Sequence, residues 1–458
     1  MTTIAISPVD APRSELSTLA KVAVGLFIWL LPFHSLIIAT LFGLEGFSAG
    51  SARTIAAWKE TAIVVLVLWV ALRAASGRGA KTHITAPDVG VGALITIAAV
   101  FLFAQNPLFR AGIPAGAELY AFRDGVFFMF LYYVGRASPE IANSETVMRN
   151  AVAVTLIVSL IGIIERLFVS PEMLVLLGVA SYQSDFLGLA AYTTGNEYGL
   201  PLNYWTWIGG VPVRRAGSVF LHSQGFALPF LLLMPLVTVW AFSRQRKHQI
   251  LVRIAYLVAW AGLMVTITRM TVLVCLAQVA LLFVVMRRPQ RVVTIAALSF
   301  AAVLLTMVVV PGVLKFAWET LAFQTASSES HVRDWAAGAL AFFEKPWGNG
   351  LGTTDAPPVR FLRPAITSDN MYLSYAVQMG VAGIVCLLAP LIAFVLRGWR
   401  VAWRAPTDPQ RRFGAVMFVA AVGILANGAT STVFSSNVLA YLFFWQAGAL
   451  VTLSESVV

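Results

Sequence analysis

Cysteine, histidine and charge are all scarce in this chain. Two cysteines and five histidines among 458 residues, none at metal-type spacing, exclude a zinc or iron–sulfur module built on paired Cys and His. No phosphate loop ending in Gly-Lys-Ser/Thr is present and no Gly-x-Ser-x-Gly elbow, so the common nucleotide-hydrolysing and serine-hydrolase motifs are missing. Gly348, Gly350 and Gly352 have the wrong spacing for a dinucleotide loop and follow no buried strand. A soluble cofactor is therefore not expected. Charged residues make up 12% of the chain, against roughly 25% in soluble globular proteins.

What replaces charge is apolar surface: 59% of residues are hydrophobic and the mean hydropathy is +0.81. Several runs approach the roughly 17 to 25 residues that cross a hydrocarbon core. They are too long and too uniformly apolar for barrel strands, which leaves helices as the way to satisfy the backbone in lipid. The expectation is an all-α polytopic membrane protein of about twelve transmembrane helices. The spans fall near 22–42, 61–76, 89–104, 120–135, 151–167, 225–242, 252–268, 270–286, 292–311, 371–396, 413–429 and 436–453. The first 21 residues lack a compact basic region followed by a small-residue cleavage site, so the first span is expected to be a retained anchor. Cys275 and Cys386 fall inside spans and read as packing residues.

Basic residues in short loops set orientation. With both termini cytoplasmic, 19 Lys and Arg fall on the cytoplasmic side, among them Arg244, Arg246, Lys247, Arg287, Arg288, Arg411 and Arg412, and 6 on the other. The net charge of +11 is thus an orientation signal and an attraction to anionic lipid. It does not argue for a nucleic-acid partner.

The chain reads as a single integral membrane domain, 1–458, with two long connections on the non-cytoplasmic side, 168–224 and 312–370. Long connections in a tight bundle are where function is usually carried. The first is rich in Tyr, Trp, Asn and Gly, suiting either the lipid head-group level or the faces of sugar rings. In the second, an amphipathic stretch from Trp335 to Phe343 is expected to be helical, with Ser330 as its cap.

Arginine at the membrane boundary is the strongest chemical signal. Arg215 precedes the sixth span, and Arg269 sits in the short hairpin Thr266-Ile-Thr-Arg-Met270. A guanidinium near lipid is stabilised by an anion, and its planar fork matches phosphate oxygens. Two converging would make a diphosphate clamp; otherwise Arg269 is a snorkelling turn residue and Arg215 a loop ion-pair partner. Arg214 is expected to face solvent. Asp369, one residue before a span, suits removal of a proton from a sugar hydroxyl or capping of the helix that follows. His222, seven residues after Arg215, is placed to face the same cavity. His34 reads as a packing residue, His331 as a surface histidine, and Glu165 with Arg166 as a charge arrangement facing the bundle.

Taken in order, these segments resemble the O-antigen ligase and O-antigen polymerase superfamily. The resemblance rests on Arg215-Ala-Gly-Ser-Val-Phe-Leu-His-Ser-Gln-Gly-Phe-Ala227, Thr268-Arg269, Ser330-His-Val-Arg-Asp-Trp335, Pro346-Trp-Gly-Asn-Gly-Leu-Gly352, Asp369-Asn370-x-Tyr372-Leu373 and Met379-Gly380. It implies a glycosyltransferase C-like fold in a bacterial inner membrane, and metal-independent, inverting transfer of a glycan from undecaprenyl diphosphate on the periplasmic face. It also implies a glycan acceptor and a flippase or chain-length regulator as partners. Arg215 and Arg269 would hold the diphosphate and Asp369 would handle the acceptor, with Arg333, Arg363, His222, Asn370 and Tyr372 at the substrate. Many members, ligases especially, carry His where this chain has Asp369, which tilts the expectation towards a polymerase over a ligase to lipid A core. A secondary transporter is the rival of another class, but no internal repeat is seen.

Overall fold

The computed structural model describes residues 16–77, 83–103, 112–141, 144–188, 199–208, 211–242, 249–287, 326–354 and 368–457, together with 290, 318 and 366. The expected span 292–311 and the arginines Arg360 and Arg363 lie outside the described residues.

In chain order the helices are α1 (Leu16–Leu30), α2 (His34–Gly43), α3 (Ala49–Ala56), α4 (Trp58–Ala75), α5 (Ala86–Phe103), α6 (Ala115–Gly125), α7 (Phe130–Ala137), α8 (Glu145–Phe168), α9 (Pro171–Leu176) and α10 (Val179–Ser181). A hairpin, β1 (Trp205–Ile208) and β2 (Val211–Arg214), precedes α11 (Ser223–Ala227), α12 (Phe230–Ala241), α13 (Gln249–Met264), α14 (Arg269–Val285), α15 (Ala326–Glu344), α16 (Met371–Arg404), α17 (Asp408–Gly428) and α18 (Asn437–Glu455). Among the described residues seven helices are long and apolar enough to cross a membrane, or eight if the bent pair α1 and α2 is one span. The chain is a mostly helical, multi-pass membrane protein.

Two expected spans are not straight. The first bends by 60° between α1 and α2 at Leu31-Pro32-Phe33, where proline has no N–H to continue the ladder. The span expected at 120–135 is broken: α6 stops at Gly125, a 3₁₀ turn runs Phe127–Met129, and α7 resumes. The helix expected from Trp335 starts earlier, at Ala326, so Ser330 lies inside α15 and is not its cap.

Burial separates centre from rim. Of the most apolar window of the α11–α12 segment, 83% is buried, and of α18, 78%, whereas α3–α4 has only 17%. On α4 the exposed residues Val64, Val65, Leu68 and Leu72 form one apolar stripe, the face a helix turns to lipid. At the α7–α18 crossing a Cβ on Gly135 would lie 1.9 Å from the Trp445 carbonyl oxygen, and one on Gly448 1.9 Å from that of Tyr132. Only glycine allows this approach, the usual means of close helix packing in lipid.

The glycine run before α16 is explained by a kink. Gly380, with φ +67° and ψ −160°, breaks the helical path inside α16 and releases the carbonyls of Val377 and Gln378. They accept from Asn349 N–H at 2.8 Å and Gly350 N–H at 3.0 Å, while Gln378 Oε1 accepts from Gly352 N–H at 2.9 Å. The Pro346–Gly352 loop is thereby fixed to α16 through backbone hydrogen bonds.

Candidate functional site

Arg214 and Arg215 are neighbours at the end of β2 and take opposite sides. Arg214 Nη2 donates to the carbonyls of Glu165, at 2.6 Å, and Arg166, at 3.3 Å. Arg214 is buried, which corrects its expected solvent position: it sits on the carbonyls at the C-terminus of α8, where a cation is favoured, the Glu165 carbonyl also accepting from Val169 N–H at 3.2 Å. The Glu165 carboxylate accepts from Gly217 N–H at 3.2 Å and Ser218 N–H at 2.5 Å. The end of α8 thus fixes the backbone on both sides of Arg215.

Arg215 points the other way, to the α13–α14 turn. Its Nε donates to the Thr266 carbonyl at 3.0 Å and its Nη2 to Thr268 Oγ1 at 2.9 Å, and Ala216 N–H donates to the Val265 carbonyl at 3.0 Å. Arg269 follows Thr268 as the first residue of α14. The guanidinium of Arg215 is pushed down to about 10, first by burial and then by the positive charge of Arg269. Two cations far apart in sequence are therefore close in space, an arrangement that favours a shared anion. His222 joins them: its Nδ1 accepts from Gly225 N–H at 3.1 Å, capping α11. Burial and the charge of Arg215 lower it to about 4, so the ring is neutral near pH 7.

Asp369 reaches the same end of the bundle by another route. Thr271, one turn into the start of α14, donates through Oγ1 to Asn427 Oδ1 at 3.2 Å. Two residues on, the Ala429 carbonyl accepts from Asn370 Nδ2 at 2.9 Å. The C-terminus of α17 thus stands between the arginine pair and the start of α16. Asn370 is the cap of α16, its Oδ1 accepting from the N–H groups of Tyr372 at 2.9 Å and Leu373 at 3.1 Å. That answers the alternative left open for Asp369: the cap is its neighbour, and the Asp369 carboxylate is directed elsewhere. Tyr372 donates its hydroxyl to the Leu425 carbonyl, so Asn370 and Tyr372 both moor α16 to α17.

Asp369 Oδ2 lies 3.3 Å from His331 Nδ1 on α15, at ion-pair distance but off the hydrogen-bond line. Burial raises the carboxyl above the ordinary carboxylate range; the His331 charge opposes that rise and Asp334 adds to it. The sequence reading gave His331 no site role, and its only signal was its place in the Ser330–Trp335 motif. Arg333 is exposed on α15. Among the described residues, no three His, Cys, Asp or Glu groups converge in a way that could hold a metal ion.

Backbone strain marks the same place. Of five non-glycine residues with positive φ among the described residues, four are Ser218, Leu221, Ile267 and Asp369, and for a β-branched residue such as Ile267 this conformation is an outlier. Strained backbone of this kind gathers at functional sites.

What the arrangement offers chemically is a pair of guanidiniums for a dianion and, across the end of α17, a carboxylate–imidazole pair for a hydroxyl proton. No curated protein matches the chain. Residues 254–388 match the family model described as O-antigen ligase, a stretch that holds Thr266, Thr268, Arg269, His331 and Asp369 and does not include Arg215. Over that stretch the chain is similar to the O-antigen ligase family, which supports the superfamily its motifs resemble.

Proposed function

We propose that the chain is a polysaccharide polymerase, moving a growing glycan from undecaprenyl diphosphate to a lipid-linked repeat unit. The site end faces the periplasm of a bacterial inner membrane, and both termini are cytoplasmic. The observation that carries this reading is the juxtaposition of Arg215 with the turn that bears Arg269. A lipid diphosphate is already a leaving group, so transfer needs cations for the departing charge and a base for the attacking hydroxyl. Arg215 and Arg269 hold the diphosphate, and Asp369, steadied by His331, receives the acceptor proton. The acceptor oxygen bonds to the anomeric carbon as the bond to the diphosphate oxygen breaks, with inversion, and the lipid diphosphate departs on the arginine pair. No step requires a metal, and a flippase or chain-length regulator is the partner such a polymerase needs.

The description of the matched family favours a second reading, a ligase that delivers the finished glycan to lipid A core. The acidic Asp369 at the start of α16 favours the polymerase. Deleting the gene and complementing with wild type, Arg215→Ala and Asp369→Ala separates them. Single repeats retained on carrier or core, restored by wild type alone, are the expected result. Long lipid-linked chains with a bare core would mean a ligase. Unchanged glycans would overturn both readings and bring the secondary transporter forward.

A further inference from the structure

A cavity of about 430 Å³ opens at the site end of the bundle, apart from the arginine pair. Its volume is in the roughly 300–1,000 Å³ range of small-molecule sites. Its walls come from the start of α4, the end of α6, the turn after α10 and the first half of α16.

Four of the charges in this wall are paired, and a further cation, Arg53, lies 5.8 Å from the Phe186 ring centroid. Lys59 Nζ lies 2.7 Å from Glu60 Oε1, and Arg123 Nε lies 2.7 Å from Asp124 Oδ1 and 3.6 Å from Glu60 Oε1. Paired in this way these four groups present fixed donors and acceptors, which suits hydroxyl groups, and Arg53 adds one further cation to the wall. Glu60 Oε2 is buried and makes no hydrogen bond to the described residues, an acceptor without a donor where buried polar atoms are normally satisfied. Aromatic faces complete the wall: Tyr120 has Arg123 stacked 4.4 Å from its ring centroid, and Tyr182 and Phe186 lie stacked at 5.6 Å. A flat apolar face beside matched hydrogen-bonding groups is a surface for a pyranose ring.

The chamber comes within two residues of Asp369 along the chain, although Asp369 is not itself in its wall. Thr354, in its lining, has Oγ1 3.4 Å from Ser368 Oγ, and Met371, also in the lining, begins α16. Asp369 lies between the two in sequence. Gln183 Nε2, beside Tyr182, donates to the Leu221 carbonyl at 2.8 Å, which ties the opposite wall to the residue before His222. We propose that this chamber binds the hydroxyl-bearing end of the acceptor saccharide, with Tyr120 as stacking platform and Glu60 as hydroxyl acceptor, and so selects which glycan is extended. The proposal rests on Asp369 as the group that handles the acceptor.

The test uses the full chain in nanodiscs and two probes: oligosaccharides released from the host's surface polysaccharide by mild acid, followed by saturation-transfer NMR, and undecaprenyl diphosphate. Wild type is expected to bind both. Tyr120→Ala and Glu60→Gln are expected to lose about tenfold in saccharide affinity and Tyr120→Phe to keep it, with diphosphate binding unchanged in all three. That unchanged binding also shows the variants are folded; should Tyr120→Ala lose both probes, Glu60→Gln and Tyr120→Phe decide. No saccharide binding to wild type, or equal binding to Glu60→Gln, overturns the chamber. Diphosphate binding to Arg215→Ala, measured alongside, reads whether it depends on Arg215, so the polymerase reading stands or falls separately.

Discussion

His331 Nδ1 and Asp369 Oδ2 lie 3.3 Å apart, although one belongs to α15 and the other precedes α16. A carboxylate that accepts a proton must first be ionised, and the raised Asp369 carboxyl places the acid limb of a transfer–pH profile above the ordinary carboxylate range. Asp334→Asn removes a negative neighbour, makes ionisation easier and should move the limb to lower pH. His331→Gln removes a positive neighbour and should move it higher. A purely structural role would scale the profile without moving its limb.

Arg215→Ala should lower single-turnover transfer about 10²–10³-fold, the usual loss when a preorganised charge-stabilising donor is removed. Arg215→Lys should recover little of it, because an ammonium cannot reproduce two directed bonds to Thr266 and Thr268 while facing a phosphate. Recovery to near wild-type rate in the Lys variant would exclude the clamp geometry.

Asn370→Ala should lower thermal stability by roughly 0.5–2 kcal/mol through loss of the helix cap, with further loss from the freed Ala429 carbonyl. Asn370→Asp keeps the acceptor for Tyr372 and Leu373 and loses only the donor, so its midpoint should lie between. A midpoint for Asn370→Asp equal to that of wild type would show that the tie to α17 carries no stability.

At the opposite end of the bundle, Arg136 Nε pairs with Asp88 Oδ1 at 2.9 Å and its Nη2 with Glu455 Oε1 at 2.8 Å, while Tyr132 donates to Asp88 at 2.8 Å. Removing one partner of a buried pair costs about 3–5 kcal/mol. Asp88→Ala should therefore reduce folded protein in the membrane sharply, while transfer per folded molecule stays at the wild-type rate. A change in that specific rate would mean the pair communicates with the arginine site.

Helices were legible from the length and uniformity of apolar runs, and the bend at Pro32 from the proline itself. The break at Gly125 was not, because Phe127 to Val134 is as apolar as a continuous span. The hairpin escaped because each strand has only four residues and its tryptophans read equally well as head-group anchors. The fates of Arg214 and Arg215 were set by β-strand alternation, invisible until the strand was known. Arg215 and Arg269 were each legible as membrane-boundary cations, but their meeting depends on the Ala216–Val265 backbone bond. His331 against Asp369 is a tertiary contact between motifs, and no local pattern encodes it.

Arg215 is steadied by a carbonyl and a hydroxyl, and no carboxylate of the described residues is among its hydrogen bonds. Neutral partners leave its positive charge undiminished, so its grip follows the charge of whatever it holds. In the proposed reaction the carrier gains negative charge at the moment the sugar leaves. The clamp then holds the emptied carrier harder than the loaded one. The feature that speeds bond cleavage also slows departure of the product, so the turnover clock of this protein would be set by escape of the lipid into the bilayer and not by sugar transfer.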